Sequence, residues 1–157
     1  MKNQLLQQCM LLCLVLISLL APGRSSAADV KDGFRDARLG AKLTSFKGMI
    51  LTSTSDGQQL YERASDNLTM GKGTLKSIIY CFEKGVLVDI HLKAAAGANG
   101  KAISEEITSV QGAPTQQTTI MGSPVRYWRT PAMLLTYVEG PQIRVSYALF
   151  SSLKKGS

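Results

Sequence analysis

TLKSIIYCFEKGVLVDIHLK, residues Thr74 to Lys93, holds the only histidine of the 157-residue chain and, at its centre, a Glu83-Lys84-Gly85 turn signal between two apolar runs. It reads as a β-hairpin, and its register decides both the fold and the fate of Cys81 and His91. A type I turn with Gly85 in the left-handed conformation pairs Phe82 with Val86, as in three-residue hairpins with a glycine bulge. Ile78, Tyr80, Phe82, Val86, Val88, Ile90 and Leu92 then share a core face, and Ile79, Cys81, Leu87, Asp89, His91 and Lys93 share the other. In that register Cys81 lies opposite Leu87 and four residues from His91, roughly 13 Å at ~3.3 Å per residue. A two-residue turn at Lys84-Gly85 instead sets Cys81 opposite Val88, ~10 Å from His91 and on the other face. A nucleophile and its base must approach to about 3 Å, so neither register predicts a Cys-His dyad.

Upstream, MKNQLLQQCMLLCLVLISLLAPGRSSAADV begins with a cation, runs apolar from Cys9 to Leu20, and ends in a Pro-Gly break with small residues. This is the pattern of a secretory signal peptide, residues 1–27, cleaved after Ala27 or one residue later. The run is shorter than the ~20 residues that span a bilayer as a helix, and no later stretch is longer, so no transmembrane segment is expected after cleavage. Cys9 and Cys13 sit inside the apolar run without the small preceding residue that lipidation needs. What remains, residues 28–157, is the size of one domain, large enough to bury its own core without a metal or disulfide. Cys81 is its only cysteine, which excludes an intramolecular disulfide. Removing Lys2 and Arg24 leaves 16 basic and 11 acidic residues, net +5. The charges are scattered, which argues against nucleic-acid binding and for loose attraction to an anionic envelope. The expected location is periplasmic or secreted.

Between the signal and the hairpin, Gly33 to Leu39 is expected as a first strand, Ser53 to Gln58 as a turn, and Gln59 to Arg63 as an edge strand. Gly71-Lys72-Gly73-Thr74 lacks the spacing of a phosphate loop, and Asn67-Leu68-Thr69 matches a glycosylation pattern by chance. Beyond the hairpin, Ile103, Ile107 and Val110 fall at i, i+4 and i+7, predicting a helix over Asn99 to Gln111 with Asn99 as N-cap and Gly112 as stop. Three strands follow: Val125 to Thr130, Met133 to Glu139 and Gln142 to Phe150, the last two joined by a turn at Gly140-Pro141. The expected fold is α+β, one antiparallel sheet of about five to seven strands packed against one main helix.

The Tyr80-x-Phe82-x-x-Gly85-x-Leu87 pattern, the helix, Gly112-x-Pro114 and a strand with Trp128 together resemble small exported (periplasmic) proteins of Gram-negative bacteria. From Ala102 onward the chain is also similar in outline to the BamE-type envelope assembly lipoproteins, where a helix ends in Gly-x-Pro before a Trp-bearing three-stranded meander. It has no lipobox, and strands replace the two-helix start of that family, so the resemblance implies a structural outline and no assembly role.

One histidine, one cysteine in the mature chain and no clustered carboxylates offer no zinc site, and no cofactor is implied. There is no Gly-x-Ser-x-Gly elbow for a serine hydrolase. The residues favour a non-catalytic binding or interaction module of the cell envelope over an enzyme; the alternative is a secreted hydrolase or hydrolase inhibitor with a diffuse site. The candidate ligand-binding residues are Arg126, Trp128, Arg129 and Arg144, with Tyr127 and Tyr137 nearby, because Arg and Trp anchor interfaces and guanidinium groups suit phosphate or carboxylate. The expected partner is an envelope protein or an anionic ligand. For Trp128 the core reading is the stronger of the two, and the oligomeric state stays open.

Overall fold

The computed structural model describes residues 32–153, so the signal-peptide expectation lies outside the described residues. The expected single sheet of five to seven strands is corrected: the described residues are mostly β, with a nine-stranded antiparallel sheet, a separate two-stranded sheet and one substantial helix. The small sheet is a hairpin of β1 (Gly33–Phe34) and β2 (Ala37–Arg38). The segment expected as one strand turns back on itself because Arg35 adopts a positive φ of 55° at its tip.

The large sheet is built from β3 (Met49–Ser55), β4 (Gln58–Arg63), β5 (Thr69–Met70), β6 (Gly73–Glu83) and β7 (Val86–Ala94), followed by helix α1 (Gly100–Gln111). After the helix come β8 (Gln116–Ile120), β9 (Ser123–Arg129), β10 (Met133–Val138), β11 (Arg144–Leu149) and a last short helix, α2 (Phe150–Leu153). Eight strands run in the order β3-β4-β6-β7-β11-β10-β9-β8, and β5 pairs with the start of β6. The segment expected as an edge strand, β4, is an interior one; β3 covers it, running through half of the expected turn. β8 has no apolar alternation, and all five of its residues are exposed, which is why it leaves no periodic signal.

Three hairpins use the same device. Asp56-Gly57, Lys84-Gly85 and Met121-Gly122 all have positive φ at both positions, the two-residue turn whose twist suits antiparallel strands. At Lys84-Gly85 this pairs Glu83 with Val86, and a bulge then leaves Val88 as the extra residue, so that Phe82 faces Leu87 and Cys81 faces Asp89. Leu87, expected on the outer face, is therefore fully buried in the core.

Helix α1 forms as its spacing predicts. The Asn99 side chain accepts a 3.0 Å bond from the Ala102 amide, and Gly112 ends the helix at a positive φ of 83°. Ile103 and Ile107 are buried against the sheet, whereas Val110 is half-buried. Close approach is possible because β6 begins with glycine: a Cβ on Gly73 would stand 2.4 Å from Ile103 Cγ1. Residues 32–47 extend the same covering layer, and Phe34, Ala37 and Leu39 join Tyr80, Phe82, Leu135, Tyr137 and Tyr147 in one core. At its border Arg63 donates to Asp36 at 2.7 Å and to the Tyr80 hydroxyl at 2.9 Å, while that hydroxyl donates to Asp66 at 2.9 Å. The network ties the first hairpin to β4 and β6. One face of the sheet is thus covered by α1 and residues 32–47.

Candidate functional site

The other face is uncovered among the described residues, and which side chains lie on it follows from the register, because directly paired residues point to the same side. Three rungs cross the sheet there. Lys93, Arg144, Val138, Val125 and Thr118 make one; His91, Ser146, Thr136, Tyr127 and Gln116 make the next; Cys81, Asp89, Ala148, Leu134 and Arg129 make the third. Most of these side chains are half-buried or exposed, and the shorter ones, Cys81, Val125 and Ala148, sink between their neighbours.

The structure divides the four sequence candidates between the two faces. Trp128 pairs with Leu135 and Arg126 with Tyr137, and both point to the helix side. Trp128 is buried, its indole N–H donating to the Gly112 carbonyl at 2.8 Å, so it closes the end of α1 as a core residue. Arg126 donates to Ser104 Oγ at 2.8 Å, lies 3.6 Å from Glu139 and stacks over the Tyr137 ring, so its charge is already partnered. Arg129 and Arg144 are exposed on the uncovered face, two rungs apart. Arg129 stacks on Phe150 with 4.7 Å from guanidinium to ring centre. Arg126, Trp128 and Arg144 therefore do not converge.

What Arg144 meets is Lys93, directly opposite it across the β7–β11 pair. Both side chains are exposed, and neither has a carboxylate partner among the described residues. Cβ atoms so paired lie roughly 4.5–5.5 Å apart, and like charges in that position repel. Sequence reasoning missed Lys93 because its meaning depends on a pairing between strands about fifty residues apart.

The adjoining rungs are polar. Ser146 donates to Asp89 Oδ1 at 3.0 Å, and His91 Nε2 lies 3.5 Å from Asp89 Oδ2. Burial pushes the Asp89 carboxyl above its ordinary value of 3.8, against the opposing effects of His91, the Ser146 hydroxyl and a backbone amide. The carboxylate stands between hydroxyl and imidazole, so the nucleophile-to-base contact that hydrolase chemistry begins from is not formed. Cys81 lies diagonally across from His91 on the same face, closer than either expected register allowed, at roughly 7–8 Å between diagonal neighbours. The shared face is that of the three-residue register; the shorter separation is the correction, and it follows from the bulge at Val88. Burial, together with the Asp89 charge, pushes the Cys81 thiol up to about 12, which keeps it a thiol at neutral pH.

Among the described residues no group of three or more His, Cys, Asp or Glu is placed to hold a metal ion, and no helix is long and apolar enough to cross a membrane. In comparisons with known proteins, no family model, no curated protein and no solved structure matches the chain.

Proposed function

We propose that this chain is an exported, non-catalytic binding module of the cell envelope whose uncovered sheet face takes an anionic ligand at Lys93 and Arg144. The observation that carries the reading is the direct pairing of these two exposed cations without a carboxylate between them. Placing like charges opposite one another costs stability, and a bound phosphate or carboxylate converts that repulsion into two charge-assisted contacts. The Arg144 guanidinium supplies a planar fork and Lys93 a point charge. His91 and Ser146 occupy the next rung on the same strands, both turned to the Asp89 carboxylate, so the rung beside the cationic pair is polar. Export and a periplasmic or secreted location belong to the same proposal, supported by residues 1–27.

The test is binding of the purified protein to vesicles containing anionic lipid, to neutral vesicles and to an acidic glycan, each at low and high salt. Binding to an anionic target that weakens with salt is expected. Equal binding to neutral and anionic vesicles, with no binding to the glycan, would remove the reading.

A further inference from the structure

A separate cavity lies on the covered side, between the β1–β2 hairpin, the loop around β5 and the second half of α1. We propose that it binds a small zwitterion with an apolar body, the chemistry of a free apolar α-amino acid. Its space is about 200 Å³, below the ~300–1,000 Å³ of pockets for drug-sized ligands, which limits the occupant to something small. Phe34, Met70, Ile107, Val110 and Tyr147 supply apolar lining. Four of these are almost fully buried, so the walls belong to the core and are rigid.

Two opposite charges line the same cavity without pairing with each other. Arg35 and Glu106 are both half-buried, and neither makes an ion pair among the described residues. Arg35 is held in place from three directions. Its backbone sits at a φ of 55° in the hairpin tip, its guanidinium donates to the carbonyls of Asn67 and Thr69, and it stacks on the Phe34 ring at 4.6 Å. Those two bonds leave guanidinium N–H groups to spare. The Glu106 carboxylate lies close against Gly71, where a Cβ would come within 3.2 Å of Oε2. A held cation and a half-buried carboxylate beside an apolar recess fit a ligand carrying both a carboxylate and an ammonium group. A fatty acid would leave Glu106 facing an anion, and a simple amine would leave Arg35 facing a cation.

The experiment is calorimetric titration of the purified protein with L-leucine, L-phenylalanine, N-acetyl-L-leucine and L-leucinamide. At least one free amino acid is expected to bind at about millimolar concentration or tighter, and the derivatives lacking one charge about tenfold more weakly. Val110→Trp, which fills the recess, should abolish binding. Glu106→Gln should weaken the free amino acid about tenfold, with circular dichroism showing the fold retained. Absence of binding by both amino acids, binding unaffected by Val110→Trp, or equal binding of the neutralised derivatives would overturn the proposal. Because Lys93 and Arg144 lie on the opposite face, Lys93→Ala should leave this binding unchanged.

Discussion

Lys93 and Arg144 face each other directly across the central β7–β11 pair, two exposed cations on the uncovered side of a sheet whose other side is closed by α1 and residues 32–47. A folded chain with no ligand bears the repulsion of that pair, so the two residues should act in opposite directions on stability and on binding. Lys93→Ala, or Lys93→Gln to keep more of the aliphatic stem, should leave the unliganded protein equally stable or more stable by roughly 0.2–1 kcal/mol at low salt. Thermal denaturation at two salt concentrations reads this. A loss of more than ~1 kcal/mol would mean that Lys93 is a structural residue.

Asp89 gives a pH signature. Its carboxyl is raised by burial above the unfolded value, so the folded chain binds a proton more tightly than the unfolded one. The contribution to stability is therefore fully present below the unfolded value of 3.8 and is lost as pH rises through the raised folded value. Asp89→Asn keeps an oxygen for Ser146 to donate to and removes the titration. The stability difference, variant minus wild type, should grow as pH rises from about 4 and then level off above the carboxylate range. Denaturant midpoints across that interval check it, and a difference independent of pH would contradict it.

Cys81 should behave as an inert core thiol. With the group raised to about 12 and almost fully buried, alkylation at pH 7 should be slow in the folded protein and fast in denaturant. His91→Ala should not slow the reaction further. Rapid labelling of the folded chain, reduced by that substitution, would restore a role for the pair.

The seating of the helix should be steeply sensitive to volume. Ile107→Ala removes a buried side chain and should cost on the order of 2–5 kcal/mol. Gly73→Ala, which drives a Cβ into Ile103, should cost roughly 1–3 kcal/mol. Denaturant unfolding of each variant checks both, and wild-type stability in either would contradict the packing described.

Legibility followed the range of the interactions. Helix α1, its Asn99 cap and the strands around Val125, Met133 and Arg144 are local patterns, and they stand where their periodicity put them. The β6–β7 hairpin is visible, but not its bulge at Val88, because Val86, Leu87 and Val88 are all apolar and hide the change of alternation. β8 was invisible because both its faces are wet, although Met121-Gly122 offered the same two-residue turn as Lys84-Gly85. The site was the least legible. Arg144 was singled out, but its partner is fixed by the β7–β11 pairing, and Arg126 and Trp128 were sent to the other side by the parity of β9 against β10.

The central claim is that Lys93 and Arg144 hold an anion together, and the most direct measurement is the salt dependence of binding to an anionic target for three proteins: wild type, the Lys93→Ala, Arg144→Ala double variant, and Arg126→Ala as control. Two lost charge-assisted contacts should weaken the double variant by at least about tenfold at low salt and flatten its salt dependence, while Arg126→Ala, whose charge is spent on Ser104 and Glu139, should stay within about twofold of wild type. Equal affinity and equal salt dependence in wild type and the double variant would contradict the account.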